Sequence, residues 1–142
     1  MPSARGFDTF MGYLSGAKNY YNHANERNGT GGLPQCMGGP TNIYSSKLYA
    51  DEAARIVRTH DVSKLLFLHL AFQSVHNPYD VPPNSMVDVD KVYPQIKSED
   101  RRVYAGMVQC LDSAVQDVVD AYKSAGLTVM ARPGRHRHAL HD

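Results

Sequence analysis

One histidine of the sequence stands where a side chain could carry out proton chemistry. His76 lies in the segment 73–78, Gln-Ser-Val-His-Asn-Pro, a few residues after an apolar run. An imidazole accepts or donates a proton near neutral pH, and loops that follow buried strands often hold functional side chains. A loop histidine that only hydrogen-bonds the backbone would have the same spacing. The spacing alone leaves both interpretations open.

The apolar run before this loop has the length of a buried strand. Residues 65–72 read Leu-Leu-Phe-Leu-His-Leu-Ala-Phe, and three prolines between positions 73 and 83 prevent a ladder from continuing. Such a run is typical of a strand buried on both faces of a parallel sheet, where ligands bind at the carboxyl end. We therefore expect 65–72 to be the core strand and His69, inside it, to be a hydrogen-bonded structural residue.

Two helices are predicted to cover this strand. The first runs from Lys47 to about His60, because its apolar residues share one face. The second begins at the cap residue Ser98 and ends before Gly126, which suits a left-handed position. Its apolar residues recur at spacings of three and four. They are Val103, Tyr104, Met107, Val108, Leu111, Ala114, Val115, Val118, Val119 and Tyr122.

The order of these elements predicts an α/β fold class. A helix, a strand, a loop, a long helix and a strand stub at 128–130 are the repeating unit of a mixed or parallel sheet sandwiched by helices. One and a half strands do not complete such a sheet, so we expect an incomplete domain with a partly exposed helix stripe. Residues 1–130 are predicted to be that partial domain, beginning with loops and short extended pieces. Residues 131–142 are predicted to be an unrelated, basic, disordered tail.

Composition excludes several classes of function. The formal net charge is +1, so no long-range field attracts nucleic acid or an acidic membrane. The longest apolar run is too short for a membrane span, and Met1 precedes polar residues rather than a signal peptide. Two cysteines, Cys36 and Cys110, are too few for a disulfide framework or a zinc site, and their redox state stays open. We expect no nucleic acid and no membrane as partners.

Other polar and aromatic residues allow a functional and a plain interpretation. Asn28 begins a glycosylation sequon, which slightly favours a secreted protein. A sugar-binding surface could use aromatic side chains, although such residues beside glycines more often pack a loop onto a core. The candidates are Tyr20, Tyr21 and His23. A metal or polyanion could bind the tail, although solvated disorder is the more common state. The tail histidines are His136, His138 and His141. The acidic residues of the long helix, Asp112, Asp117 and Asp120, are expected on its solvated side.

Three collinear stretches of the sequence form a combined pattern. They are Arg-Gly-Phe-Asp-Thr-Phe-Met-Gly-Tyr at 5–13, the stretch 66–78 that includes His76, and Arg-Arg-Val-Tyr-Ala-Gly-Met-Val at 101–108. Together they resemble the sulfatase family, most closely its arylsulfatase B-like branch. The resemblance implies hydrolysis of the sulfate esters of sugars or aryl compounds. In such enzymes a formylglycine made from cysteine attacks sulfur, while a calcium ion helps to hold the sulfate oxygens. It implies that His76 is catalytic and binds the substrate sulfate. It also suggests a lysosomal or secreted glycoprotein.

The family's nucleophile and metal segments are not found in this sequence. Neither Cys36 nor Cys110 lies in a Cys-x-Pro-Ser-Arg segment, and the paired aspartates, the Gly-Lys-Trp-His segment and the Asp-Asn-Gly segment do not occur. We therefore expect calcium only in the complete domain, His76 as the one catalytic residue retained, and an inactive isolated chain that lacks the rest of the sulfatase domain. The alternative is a non-catalytic, truncated sulfatase-like protein that serves as a binding or interaction partner.

Overall fold

The computed structural model of this chain describes residues 2–13, 19–21, 26–30, 35–36 and 42–127. Its elements, in chain order, are a 3₁₀ turn at Pro2–Arg5, β1 at Thr9–Tyr13, β2 at Glu26–Thr30, β3 at Gln35–Cys36, α1 at Ser45–Thr59, α2 at Pro83–Val92 and α3 at Glu99–Ser124. None of the described helices could serve as a membrane span.

Helices α1 and α3 form the main body of the described fold. Their interface is built from small side chains, which allow two helix axes to approach closely. Ala50 and Ala53 of α1 pack against Ala114 and Val118 of α3. A second cluster continues the interface toward the ends of the two helices, and its buried residues are Ala54, Val57 and Ala121. The sequence patterns that predicted both helices are confirmed by these faces.

Residues 65–72 are extended, but the prediction of a strand buried on both faces is wrong. Alternate side chains point toward the two helices, and those of Leu66, Leu68, Leu70 and Phe72 are partly buried there. The intervening side chains, including His69, are exposed. The segment belongs to no β-ladder in the described part of the chain. Burial of a second face needs neighbouring strands and a second covering layer, and the described residues supply neither.

The sheet that the structure does contain is antiparallel and lies in the first third of the chain. β1 pairs with β2, with Met11 opposite Asn28, and β2 pairs with β3, with Arg27 opposite Cys36. The expectation of loops and short extended pieces missed this pairing. The mixed or parallel sheet predicted around 65–72 is not formed by the described residues, and the predicted strand stub at 128–130 lies outside them.

The two ends of α3 test the local sequence signals that predicted where this helix begins and ends. Gly126 has a φ of 68°, its N–H donates to the Lys123 carbonyl, and the Leu127 N–H donates to the Tyr122 carbonyl. This is the Schellman arrangement that glycine favours, so the predicted helix end is confirmed. Ser98 occupies the N-cap position, but its side chain makes no cap hydrogen bond. Sequence analysis missed α2, although Pro83 at its first position is a typical start signal.

Candidate functional site

His76 lies on a turn between the extended segment and α2. Its N–H donates to the Gln73 carbonyl at 3.0 Å, which closes the turn, and its imidazole is exposed. Its ring Nδ1 lies 2.6 Å from the Asn77 carbonyl oxygen. A carbonyl oxygen only accepts, so Nδ1 must carry the proton of this bond. Nε2 is then the ring atom at which His76 can exchange a proton with a ligand.

The buried side chain of Tyr20 hydrogen-bonds to the backbone of this turn. Its side chain is completely buried, and its hydroxyl lies 2.8 Å from the His76 carbonyl oxygen and 3.3 Å from that of Gln73. The position of Tyr20 is in turn set by the start of α1, because the Ser45 N–H and the Ser45 hydroxyl each lie 2.9 Å from the Tyr20 carbonyl oxygen. One buried phenol therefore connects the first helix to the histidine turn.

A second tyrosine and a pair of serines hold the two flanks of the same turn. Tyr44 stacks on Tyr20 with ring centroids 5.0 Å apart, and its hydroxyl donates to the Asp80 carbonyl at 2.9 Å. The hydroxyl oxygens of Ser46 and Ser74 are 2.8 Å apart. These contacts fix the loop before and after His76, and the imidazole stays exposed.

Burial keeps the supporting phenols protonated. Desolvation raises the pKa of Tyr44 far above its usual range. The pKa of Tyr21, which packs edge-on against Tyr44, is raised by burial and then by the negative charge of Asp80. A protonated phenol can donate a hydrogen bond and an ionised one cannot, so the raised pKa of Tyr44 extends its hydrogen bond with the Asp80 carbonyl to higher pH.

A cavity of about 240 Å³ lies between α1, α2 and α3, and His76 is not among its lining residues. Its walls include Lys47, Asp88, Cys110 and Asp117. Cys110 is a free thiol whose pKa is raised by burial, and its sulfur lies 3.2 Å from the Ser85 hydroxyl oxygen. The imidazole does not line this cavity. The candidate site is therefore an open surface loop rather than a closed pocket.

The described residues do not form a calcium site. Within them, no three side chains of His, Cys, Asp or Glu come together in the way that a metal ion requires. Asp112, Asp117 and Asp120 are exposed on α3, as predicted. The side chains near His76 supply hydrogen bonds to backbone rather than a cluster of carboxylates.

The family of the chain is settled by a comparison with family models, since the sulfatase model matches residues 1–128. The chain belongs to the sulfatase family. The resemblance of the three collinear stretches is thereby confirmed. All of the loop 73–80 and all three helices lie inside the matched region.

Relatives of this sulfatase-family chain are much longer than the chain itself. Arylsulfatase J of Mus musculus is 37% identical over 133 residues, which cover 89% of this chain and 22% of that protein. The crystal structure of Ps i-CgsB superposes with a TM-score of 0.72 at 26% identity, covering 89% of this chain and 31% of that one. Ps i-CgsB in complex with k-i-k-neocarrahexaose gives a TM-score of 0.70 at 27% identity. The chain spans about a fifth of the length of arylsulfatase J.

The structure distinguishes between the functional and the plain interpretation for some of the residues considered above. Tyr20 packs a loop onto the core, as the plain interpretation predicted, whereas His69 is exposed and is not the buried core residue expected. Asn28 lies in β2, and the structure does not describe how exposed its side chain is. His23 and the tail histidines also lie outside the described residues. Tyr44 and Ser74 were not predicted as supporting residues, because no local sequence pattern shows that they meet the rest of the site across the chain.

Proposed function

We propose that this chain supplies the sulfate-contacting histidine of a sulfuric ester hydrolase. The observation that carries the proposal is the geometry of His76, an exposed imidazole whose Nδ1–H is held by the Asn77 carbonyl, which leaves Nε2 as the ring atom for a ligand. Membership of the sulfatase family and the similarity to arylsulfatase J support the reaction class. A positioned donor acts efficiently because little reorganisation is needed during the reaction.

In the proposed reaction the ester sulfur–oxygen bond breaks, and negative charge develops on the oxygens around sulfur and on the leaving oxygen. The protonated imidazole of His76 would donate from Nε2 to one of these oxygens. The hydrogen bond from Nδ1–H to the Asn77 carbonyl keeps the ring oriented. In a complete domain, calcium would balance the negative charge of the sulfate. The described residues do not fit a calcium site, and the proposed role of His76 does not depend on the ion.

The nucleophile and the metal ligands would come from outside this chain, because its sequence contains no Cys-x-Pro-Ser-Arg segment. The isolated chain is therefore expected to be inactive. The proposed substrates are sulfated sugars or aryl sulfates, and the saccharide complex of Ps i-CgsB supports the first class. A lysosomal or secreted location and glycosylation at Asn28 belong to the same proposal.

The test is a chimera in which residues 1–128 of this chain replace the matching segment of a catalytically active sulfatase. We expect the chimera to hydrolyse an aryl sulfate, and His76→Ala to lower kcat/KM by about 10²- to 10⁴-fold, the usual contribution of general acid–base catalysis. The matched control is His60→Ala, because His60 is partly exposed just after α1 and its ring Nε2 lies 3.0 Å from the Lys64 carbonyl oxygen. A chimera that folds, carries formylglycine and is inactive would contradict the proposal, as would equal rates for the two variants.

A second candidate is a non-catalytic role as an interaction partner. It is favoured by the apolar side chains on the outer face of α3, where Tyr104, Val108 and Val115 are 43%, 44% and 44% exposed. Apolar groups on one helix face commonly mark a contact surface. The expected result is association of the chain with a full-length sulfatase that is lost in Val108→Lys. Sedimentation of the mixed proteins as separate species would remove this candidate.

A further inference from the structure

Three hydroxyl groups beside the histidine loop form one continuous hydrogen-bond network. The hydroxyl oxygens of Ser46 and Ser74 are 2.8 Å apart, and the Tyr44 hydroxyl donates to the Asp80 carbonyl at 2.9 Å. A hydrogen bond between the side chains of Ser74 and Tyr44 joins these two contacts. Ser46 and Tyr44 are buried, so water does not readily replace the bonds. This hydroxyl network therefore runs from Ser46 through Ser74 and Tyr44 to a backbone carbonyl.

The direction of the hydrogen bonds in the hydroxyl network follows from its last acceptor. The Asp80 carbonyl can only accept, so the single proton of the Tyr44 hydroxyl is used in that bond. The phenol oxygen must then accept the proton of Ser74. This direction agrees with the pKa of Tyr44, which burial raises and the hydrogen bond from Ser74 lowers in part. With its own proton used, Ser74 can only accept from Ser46.

The hydroxyl network joins the histidine loop to α1 on both sides of the histidine. Ser74 lies two residues before His76, and Asp80 lies four residues after it. The other two members belong to the start of α1, because Tyr44 is its N-cap and Ser46 is in its first turn. Ser74 takes part in two of the three hydrogen bonds. Removing its hydroxyl would therefore interrupt the network at its centre.

The proton position on the imidazole depends on the conformation of the same loop. Nδ1 of His76 lies 2.6 Å from the Asn77 carbonyl oxygen, so the neutral ring must carry its proton on Nδ1. This bond joins neighbouring residues, and it persists only while the loop backbone keeps the carbonyl near the ring. His60 is the opposite case. Its Nε2 lies 3.0 Å from the Lys64 carbonyl oxygen, so its neutral ring must carry the proton on Nε2.

We propose that Ser74 is a positioning residue that fixes the tautomer of His76 through the hydroxyl network. Its hydroxyl holds the loop in the conformation in which the Asn77 carbonyl accepts from Nδ1–H. Nε2 of the neutral ring is then the nitrogen that can accept a proton from a ligand. The importance of this tautomer for catalysis rests on the proposed function of His76. The tautomer itself is a property of the full chain and is measured without turnover.

The experiment records long-range proton–nitrogen correlation spectra of the full chain with isotopically labelled histidine. Mildly alkaline pH keeps the imidazoles neutral, and the nitrogen chemical shifts distinguish protonated from unprotonated ring nitrogens. The variants His76→Gln and His60→Gln identify the two sets of signals. We expect the Nδ1–H tautomer for His76 and the Nε2–H tautomer for His60. Ser74→Ala should lower the ratio of Nδ1–H to Nε2–H at His76 by about 2- to 10-fold, the range by which one net hydrogen bond shifts an equilibrium.

The controls separate the hydroxyl from a general effect on folding. Ser74→Thr keeps a hydroxyl and should restore the ratio, while Ser113→Ala alters an exposed serine of α3 and should leave the ratio unchanged. Tyr44→Phe removes the last donor of the network and should also lower the ratio. It provides a second test if circular dichroism shows that Ser74→Ala does not fold. In every variant the signals of His60 should stay the same.

Two results would overturn the proposal. The first is a His76 ring that carries its proton on Nε2 in the unaltered chain. The second is a tautomer ratio at His76 that is the same in Ser74→Ala and Tyr44→Phe as in Ser113→Ala. An inactive sulfatase chimera would contradict the proposed function and leave these spectra unchanged, so the two proposals can fail separately.

Discussion

Replacing Tyr20 by phenylalanine removes one hydroxyl and leaves the buried ring in place on Tyr44. That hydroxyl lies 2.8 Å from the His76 carbonyl oxygen and directly joins the core to the histidine turn. A net hydrogen bond contributes about 0.5–1.5 kcal/mol, and a carbonyl left unpaired adds a desolvation penalty. We therefore expect Tyr20→Phe to lower the free energy of unfolding by about 1–2 kcal/mol.

Urea unfolding followed by circular dichroism measures this loss. With a typical slope of about 2 kcal/mol per molar urea, the midpoint should fall by about 0.5–1 M. Amide exchange should also accelerate at His76, whose N–H closes the turn, more than in the middle of α1. The matched control is Tyr104→Phe, since Tyr104 is 43% exposed and its ring contact with Tyr79 does not need the hydroxyl. Equal midpoints for the two variants, or unchanged exchange at His76, would refute the role assigned to Tyr20.

Two further predictions concern the core and its titration. Gly106→Ala should destabilise the chain although alanine favours helix, because the new Cβ would lie 2.9 Å from a Val81 methyl carbon. The double variant with Val81→Ala should recover part of that loss in the same urea assay, and simple additivity would contradict the steric explanation. Stability should fall at alkaline pH, because burial raises the folded-state pKa of Tyr44 and Cys110. The stabilisation from these two groups is fully present below their pKa values in the unfolded chain, about 8.5 for thiols and 10 for phenols. It is lost as pH rises through their pKa values in the folded chain. Tyr44→Phe should reduce the slope of the free energy of unfolding against pH above pH ~10. A free energy of unfolding that stays constant below and above that pH would contradict the assignment.

Helix prediction succeeded where the signals are local. The apolar spacing of α3 and the glycine at its end specify a helix and its termination within a few residues, so Gly126 and Leu127 were placed correctly. The same holds for α1, which begins two residues before the predicted Lys47 and ends one residue before His60. The start of α2 was missed because prolines are common both in loops and at the first position of helices.

The sequence by itself determined the two long helices, the extended nature of 65–72 and the position of His76 on the loop that follows it. These features depend on residue periodicity and on backbone preferences, which act over a few positions. Tertiary structure decided which face of 65–72 is covered, because burial depends on the elements that surround a segment. It also decided how the histidine turn is held. Tyr20 lies 56 positions from His76 in the sequence, and only folding brings its hydroxyl to the carbonyl that it supports.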